Sequence, residues 1–91
     1  GYLEKEGKTK KREKVGLAIE VKNWEKKIYT GPAEHFLKAC AQLKKLNKFT
    51  RLVTIYISRS GFSKPATKIL RKHHVRLMEL GDMEAYIQNQ D

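Results

Sequence analysis

Residues 15–23 read Val15-Gly16-Leu17-Ala18-Ile19-Glu20-Val21-Lys22-Asn23, and two kinds of side chain alternate along them. Val15, Leu17, Ile19 and Val21 fall on one parity; Gly16, Ala18, Glu20 and Lys22 fall on the other. Successive side chains of a strand point to opposite faces, so the pattern predicts a strand with its core face on the odd positions. The even face starts with two small residues and ends in a carboxylate and an amine. It reads as an open floor leading to a charged pair.

Upstream, residues 2–6 read as a short strand, and Lys8 to Lys14 as a charged, solvated hairpin connection. Downstream, Trp24 to Thr30 reads as a loop. Pro32 suits the first turn of a helix running to about Asn47, with Phe36, Leu37, Cys40, Leu43 and Leu46 as its apolar stripe and Asn47 as a left-handed cap. Arg51 to Ser58, RLVTIYIS, is β-branched and apolar on both faces, as a central strand should be. After a turn at Ser60-Gly61, Ser63 caps a second helix with Pro65 in its first turn and Ile69 and Leu70 inward. Val75 to Met78 is a short strand, and Asp82 opens a last helix carrying Met83, Tyr86 and Ile87. The expected fold class is α/β: a mixed sheet flanked by helices in the order β-β-α-β-α-β-α, with residues 1–91 as a single domain. A hairpin makes its strands antiparallel, whereas βαβ crossovers require parallel neighbours.

Composition narrows the partners. Twenty Lys and Arg against ten Asp and Glu leave a net charge of +10 on 91 residues. Such a balance favours a polyanion, DNA or RNA first and an anionic membrane second. No apolar run approaches the roughly 20 residues of a membrane-spanning helix, and no signal-peptide core appears. The single Cys40 has no partner for an internal disulfide, which suits a reducing cytoplasm, and its apolar neighbours mark it as a small core residue. The chain starts at Gly1 directly before a strand-like segment, so the expectation is a domain lacking its first elements.

Glu20 and Lys22 carry the chemistry of the strand. Two apart on one strand, they project from the same face; a metal held by the carboxylate would lie within reach of the amine. The carbonyl of Val21 between them is a further oxygen ligand of the hard kind that Mg²⁺ takes. A Glu-x-Lys on a solvated strand is common, so the tripeptide gains meaning from its setting: an apolar partner face, small residues leading up to it and a basic chain.

The stretch Leu17 to Trp24, LAIEVKNW, resembles the third core strand of the PD-(D/E)XK nucleases. The run IYISRSGFSKPATKILRKHHVRLMELGDMEAYI is similar to the closing part of the Mrr-type branch of that superfamily, so the resemblance covers residues 15–90 in order and spacing. It implies a restriction endonuclease-like fold and a metal-dependent DNA endonuclease, with Mg²⁺ or Mn²⁺ as cofactor and a homodimer as one form of assembly. It makes Glu20 a metal ligand alongside the Val21 carbonyl, and Lys22 the group that positions the attacking water. The family also uses an acidic residue, usually Asp, on the preceding strand. The first Asp here is Asp82. If the hairpin folds about Lys11, Tyr2 opposes Glu20 and the position before Gly1 opposes Lys22, so the expectation places that Asp just upstream of Gly1. Two other readings stand beside this one: a non-catalytic basic module that binds nucleic acid, and a docking domain of a larger DNA-processing protein.

Candidate phosphate contacts are Lys10, Lys11 and Arg12 at the hairpin tip, Lys26 and Lys27 after the charged pair, and Arg59 and Lys64 flanking the Ser-Gly-Phe-Ser turn. A solubilising tip explains the first three nearly as well. His73 and His74 suit a helix C-terminus, His35 reads as structural, and Trp24 reads as packed on the sheet edge, with base stacking the alternative. Gln42 reads as a solvated helix residue. No Gly-rich phosphate loop and no Ser- or Cys-based nucleophile motif is present.

Overall fold

The computed structural model describes residues 2–6 and 12–80. Strand β1 (Tyr2–Glu6) and strand β2 (Arg12–Lys22) form an antiparallel hairpin. Helix α1 (Thr30–Leu46) leads to β3 (Arg51–Ser58), and helix α2 (Lys64–Lys72) leads to β4 (Arg76–Glu79). The sheet order is β1-β2-β3-β4, with β2, β3 and β4 mutually parallel. The last helix expected from Asp82 lies outside the described residues.

Strand β3 coincides with the expected segment because the six β-branched or apolar residues from Leu52 to Ile57 have no competing reading. Strand β2 starts three residues earlier than its apolar pattern: Arg12, Glu13 and Lys14 pair with Glu6, Lys5 and Glu4. Backbone pairing at a sheet edge needs no apolar side chain, so charge alone does not mark a connection. The register also differs from the expected one. Tyr2 opposes Gly16, not Glu20, so β1 pairs no further along β2 than Gly16, and neither Glu20 nor Lys22 has a β1 partner among the described residues. The paired residues are centred two positions before the expected Lys11.

The face expected to be buried is the exposed one. Leu17, Ile19 and Val21 are 45%, 51% and 56% exposed, whereas Gly16 is buried and Ala18 packs against the core. The cause is the pair of parallel crossovers. Right-handed βαβ connections along a sheet of order 2-3-4 place both helices on one side, and α1 and α2 do pack against each other. That side is the even face of β2 and of its register partner β3: Gly16 with Leu52, Ala18 with Thr54, Glu20 with Tyr56, Lys22 with Ser58. The core there consists of Ile28, Ala33, Phe36, Cys40, Tyr56, Ala66, Leu70 and Val75.

Gly16 sits where the layers come closest. A Cβ on it would lie 2.6 Å from Phe49 Cε2 and 2.9 Å from Leu52 Cδ1. Phe49 reaches this place because the chain reverses after α1 through Lys48, whose φ is 53°. The left-handed residue is therefore Lys48 and not Asn47, which has φ −95° and donates its side-chain amide to the Leu43 carbonyl at 2.9 Å. With Phe49 over the sheet, Leu46 is 82% exposed and Leu43 38%, so of the expected stripe only Phe36 and Cys40 are buried and Leu37 is half-buried; Ala33, outside that stripe, is buried as well. Helix α2 begins as its sequence indicates, with the Ser63 side chain accepting from the Ala66 amide at 3.2 Å and Pro65 in the first turn.

Candidate functional site at the carboxyl ends of the strands

Glu20 and Lys22 project from the helix-covered face, near the end of β2 and beneath the first turns of α1. Gly16 and Ala18 behind them are sealed by Phe49 and α1. Toward Lys22 the cover lifts, and a groove of about 410 Å³ opens, lined by Glu20, Lys22, Trp24, Pro32, His35 and Tyr56 among others. Lys22 Nζ meets Glu20 Oε1 at 2.9 Å, with side chains 30% and 36% exposed. A pair this open is worth about 0–1 kcal/mol to stability. It is an arrangement that a ligand can rearrange at little cost.

The Val21 carbonyl takes a different direction. Arg59 donates its backbone N–H to the Lys22 carbonyl at 3.0 Å, so the carbonyl of residue 22 points toward β3. Carbonyls alternate along a strand; that of Val21 therefore lies in the sheet plane on the side of β2 away from β3. It does not point up into the groove.

Tyr56 is the site residue that the sequence reading overlooked. It is 1% exposed and is the register partner of Glu20. Its ring is clamped edge-on between Phe36 at 4.9 Å and Phe62 at 5.5 Å. Buried as it is, Tyr56 still lines the groove. Burial, and after it the Glu20 carboxylate, push the phenol up to about 12. The same two causes, burial first, raise the Cys40 thiol, which belongs to the core. Parity was the available signal: Tyr56 lies an even number of positions from Thr54 and Ser58, on the face that a parallel register sets beside Glu20.

His35, expected to be structural, is exposed and lines the groove from α1. Trp24, expected over the sheet edge, lines the groove just beyond the end of β2. It is 37% exposed, with Lys22 Nζ 5.0 Å and Lys26 Nζ 5.5 Å from its ring centroid. Its loop is stitched to the turn after β3: Ser60 donates to the Trp24 carbonyl at 2.7 Å, Ile28 N–H to the Gly61 carbonyl at 2.9 Å, and Ser63 N–H to the Ile28 carbonyl at 2.9 Å. This stitching brings the segment bearing Lys26 and Lys27 to the same end of the sheet as Arg59 and Lys64, all four exposed. Arg12 belongs to the other end, ten residues back along β2, which at about 3.3 Å per residue is roughly 33 Å away. Lys10 and Lys11 lie outside the described residues. Gln42 is exposed, about three turns into α1 and away from the charged pair.

Among the described residues no group of three or more His, Cys, Asp or Glu is placed to hold a metal ion. Among the described residues Glu20 is the one carboxylate lining the groove, and its Oε1 already accepts from Lys22. Mg²⁺ demands near-octahedral oxygen coordination, commonly one or two carboxylates with substrate phosphates and water. The described residues thus supply one ligand of that kind and do not by themselves complete a site. Comparison with protein-family models, with curated proteins and with solved structures finds no match.

Proposed function

We propose that this chain is a restriction endonuclease-like domain that acts on DNA, with Glu20 and Lys22 as one half of a metal-dependent endonuclease site. The observation that supports this reading is the groove itself: a carboxylate and an ammonium two residues apart share it at the carboxyl end of a parallel strand. Loops converge at such ends in α/β sheets, and ligands bind there. Lys22 makes a single contact with Glu20, so the ammonium retains two donors for a phosphate oxygen or an attacking water. Lys26, Lys27, Arg59 and Lys64 supply positive potential at the same end and hold a backbone without reading its sequence. Mg²⁺ or Mn²⁺ would supply a Lewis acid and an activated water; Glu20 fits one of its ligand positions, and the second acidic ligand belongs outside the described residues.

The test is nicking of supercoiled plasmid in Mn²⁺. Lys22→Ala is expected to abolish nicking while changing DNA affinity less than about threefold, the share of one phosphate contact among several. Nicking that persists in both Lys22→Ala and Glu20→Ala refutes the assignment. One observation favours a second reading, a non-catalytic nucleic-acid-binding module: among the described residues Glu20 stands without a second carboxylate and is neutralised by Lys22. That reading expects salt-sensitive binding, no nicking with any divalent metal and no dependence on Lys22.

A further inference from the structure

Trp24 is a large side chain that the core does not use. It follows the end of β2 by two residues, lies outside the cluster beneath the helices and stands exposed on the wall of the groove. Exposed apolar side chains are common, so exposure alone carries no weight. Three further observations do. The backbone that bears the indole is fixed: its carbonyl accepts the Ser60 hydroxyl at 2.7 Å, and Ile28, four residues on, is fully buried and bridges to Phe62. Among the described residues no aromatic ring stacks on the indole. Two ammonium groups hold to it instead, Lys22 Nζ at 5.0 Å and Lys26 Nζ at 5.5 Å from the ring centroid. An aromatic platform, anchored through its backbone and edged by cations along a groove, is the arrangement with which proteins take hold of single-stranded nucleic acid.

We propose that Trp24 is a stacking site for one unpaired nucleotide, which makes single-stranded or frayed DNA, in preference to intact duplex, the ligand of this end of the sheet. This deepens the nucleic-acid reading of the groove and rests on it. In a duplex both faces of a base are covered by its neighbours in the stack. Only at an end, a gap or a single strand is a face free to lie on a side chain. The groove, about 410 Å³, has the size of a small-ligand site, with room for one nucleotide and not for stacked base pairs. Cation–π contacts at an exposed ring are weak, so an arriving base displaces an ammonium at little cost. Lys22 and Lys26 lie two residues to either side of Trp24, so their ammonium groups reach the phosphates that flank the stacked base. Every base has a π-face, and stacking therefore discriminates pairing state and not sequence. With a base on Trp24, the adjoining phosphodiester comes to Lys22, whose other partner is Glu20 at 2.9 Å. The cleavage reading then places the cut next to an unpaired nucleotide.

Trp24 is the chain's single tryptophan, so its fluorescence reports occupancy of the platform without a label. Oligothymidine of about 12 nucleotides, within the site sizes of single-strand binders, is expected to quench it. A blunt, G·C-ended duplex of the same length should leave it nearly unchanged. Anisotropy with the same two ligands, labelled, reads the variants. Trp24→Ala should raise the Kd for oligothymidine roughly tenfold, the worth of one stacked base, while the duplex Kd stays where it was. Trp24→Phe keeps a ring and should recover most of the loss. A role in folding alone would weaken both ligands together and lower the melting temperature, which should hold in both variants. Oligothymidine that leaves the wild-type emission unaltered overturns the site, as does a Trp24→Ala variant that loses both ligands equally or neither. Should Trp24→Ala fold poorly, the contrast between the two ligands in wild-type fluorescence decides alone. Plasmid nicking that needs Lys22, alongside single-strand binding that ignores Trp24, sinks the stacking site and leaves the cleavage reading intact. Single-strand-selective loss in Trp24→Ala with no nicking at all does the reverse.

Discussion

A tyrosine whose phenol is pushed up to about 12 makes stability depend on pH in the alkaline range. In the unfolded chain Tyr56 would release its proton near 10; in the folded chain it keeps it until about 12. Between those values the folded state binds more protons than the unfolded one, so stability falls as pH rises, and the decline levels off beyond the folded value. Below pH 10 both states are protonated, and this group contributes no slope. The expected outcome is that urea unfolding at steps from about pH 9 to 12 shows a decline that Tyr56→Phe flattens. Subtracting the phenolate absorbance titration of that variant from the wild type should isolate one late-titrating group among the four tyrosines. A difference titration centred near 10 would mean that the phenol is solvated and that its burial beneath α1 is wrong.

Strand β2 shows what could and could not be seen at the scale of an element. Its existence was legible from alternation, and β3 was legible from end to end, because β-branched residues fit a pleated surface whichever side is covered. Which face of β2 faces the helices was not legible. Alternation separates two faces, but the choice between them is made by the crossovers, and these place helices over Gly16 and Ala18 because small residues let Phe49 and α1 approach closely. The pairing of Glu20 with Lys22 survives this inversion, since both share a parity. Parity sets Tyr56 on the same face of β3 as Thr54 and Ser58, but its place beside Glu20 depends on an inter-strand register that no local pattern encodes. The inversion has a direct consequence for substitutions. Gly16→Ala puts a Cβ 2.6 Å from an aromatic carbon and should cost about 1–3 kcal/mol through overpacking. Ile19→Thr, on the half-exposed face of the same strand, should stay within about 0.5 kcal/mol, in the range of surface changes. Urea midpoints for the two variants decide the matter. If Ile19→Thr proves the more damaging, the odd face is a core in solution and the assignment of faces is wrong.

At the scale of the whole chain, a charge of +10 is uninformative until its distribution is known. The fold divides the basic residues between the two ends of the sheet. Lys22, Lys26, Lys27, Arg59 and Lys64 belong to the groove end. Lys44 and Lys45 sit in the last turn of α1 at the other end, where the Thr50 amide donates to the Lys14 carbonyl and Arg51 begins β3. Seventeen helical residues at about 1.5 Å each put roughly 25 Å between the ends of α1, more than twice the screening length of about 10 Å at 0.1 M salt. A nucleic acid seated at the groove should therefore feel the two clusters independently. Removing one phosphate-neutralising cation lowers the slope of log K against log salt by about 0.9 for duplex DNA. The double change Lys26→Ala with Lys27→Ala is expected to reduce that slope by about 2 and to weaken binding alike for unrelated sequences. Lys44→Ala with Lys45→Ala removes the same charge and should leave the slope where it was, at the cost of a few tenths of a kcal/mol of helix-end stabilisation. Fluorescence anisotropy with a labelled duplex between about 50 and 200 mM salt, the range over which such neutralisation is felt, distinguishes the two. An equal drop in slope for both pairs would mean that DNA engages the basic surface without preference, and that the groove end has no privileged part in binding it.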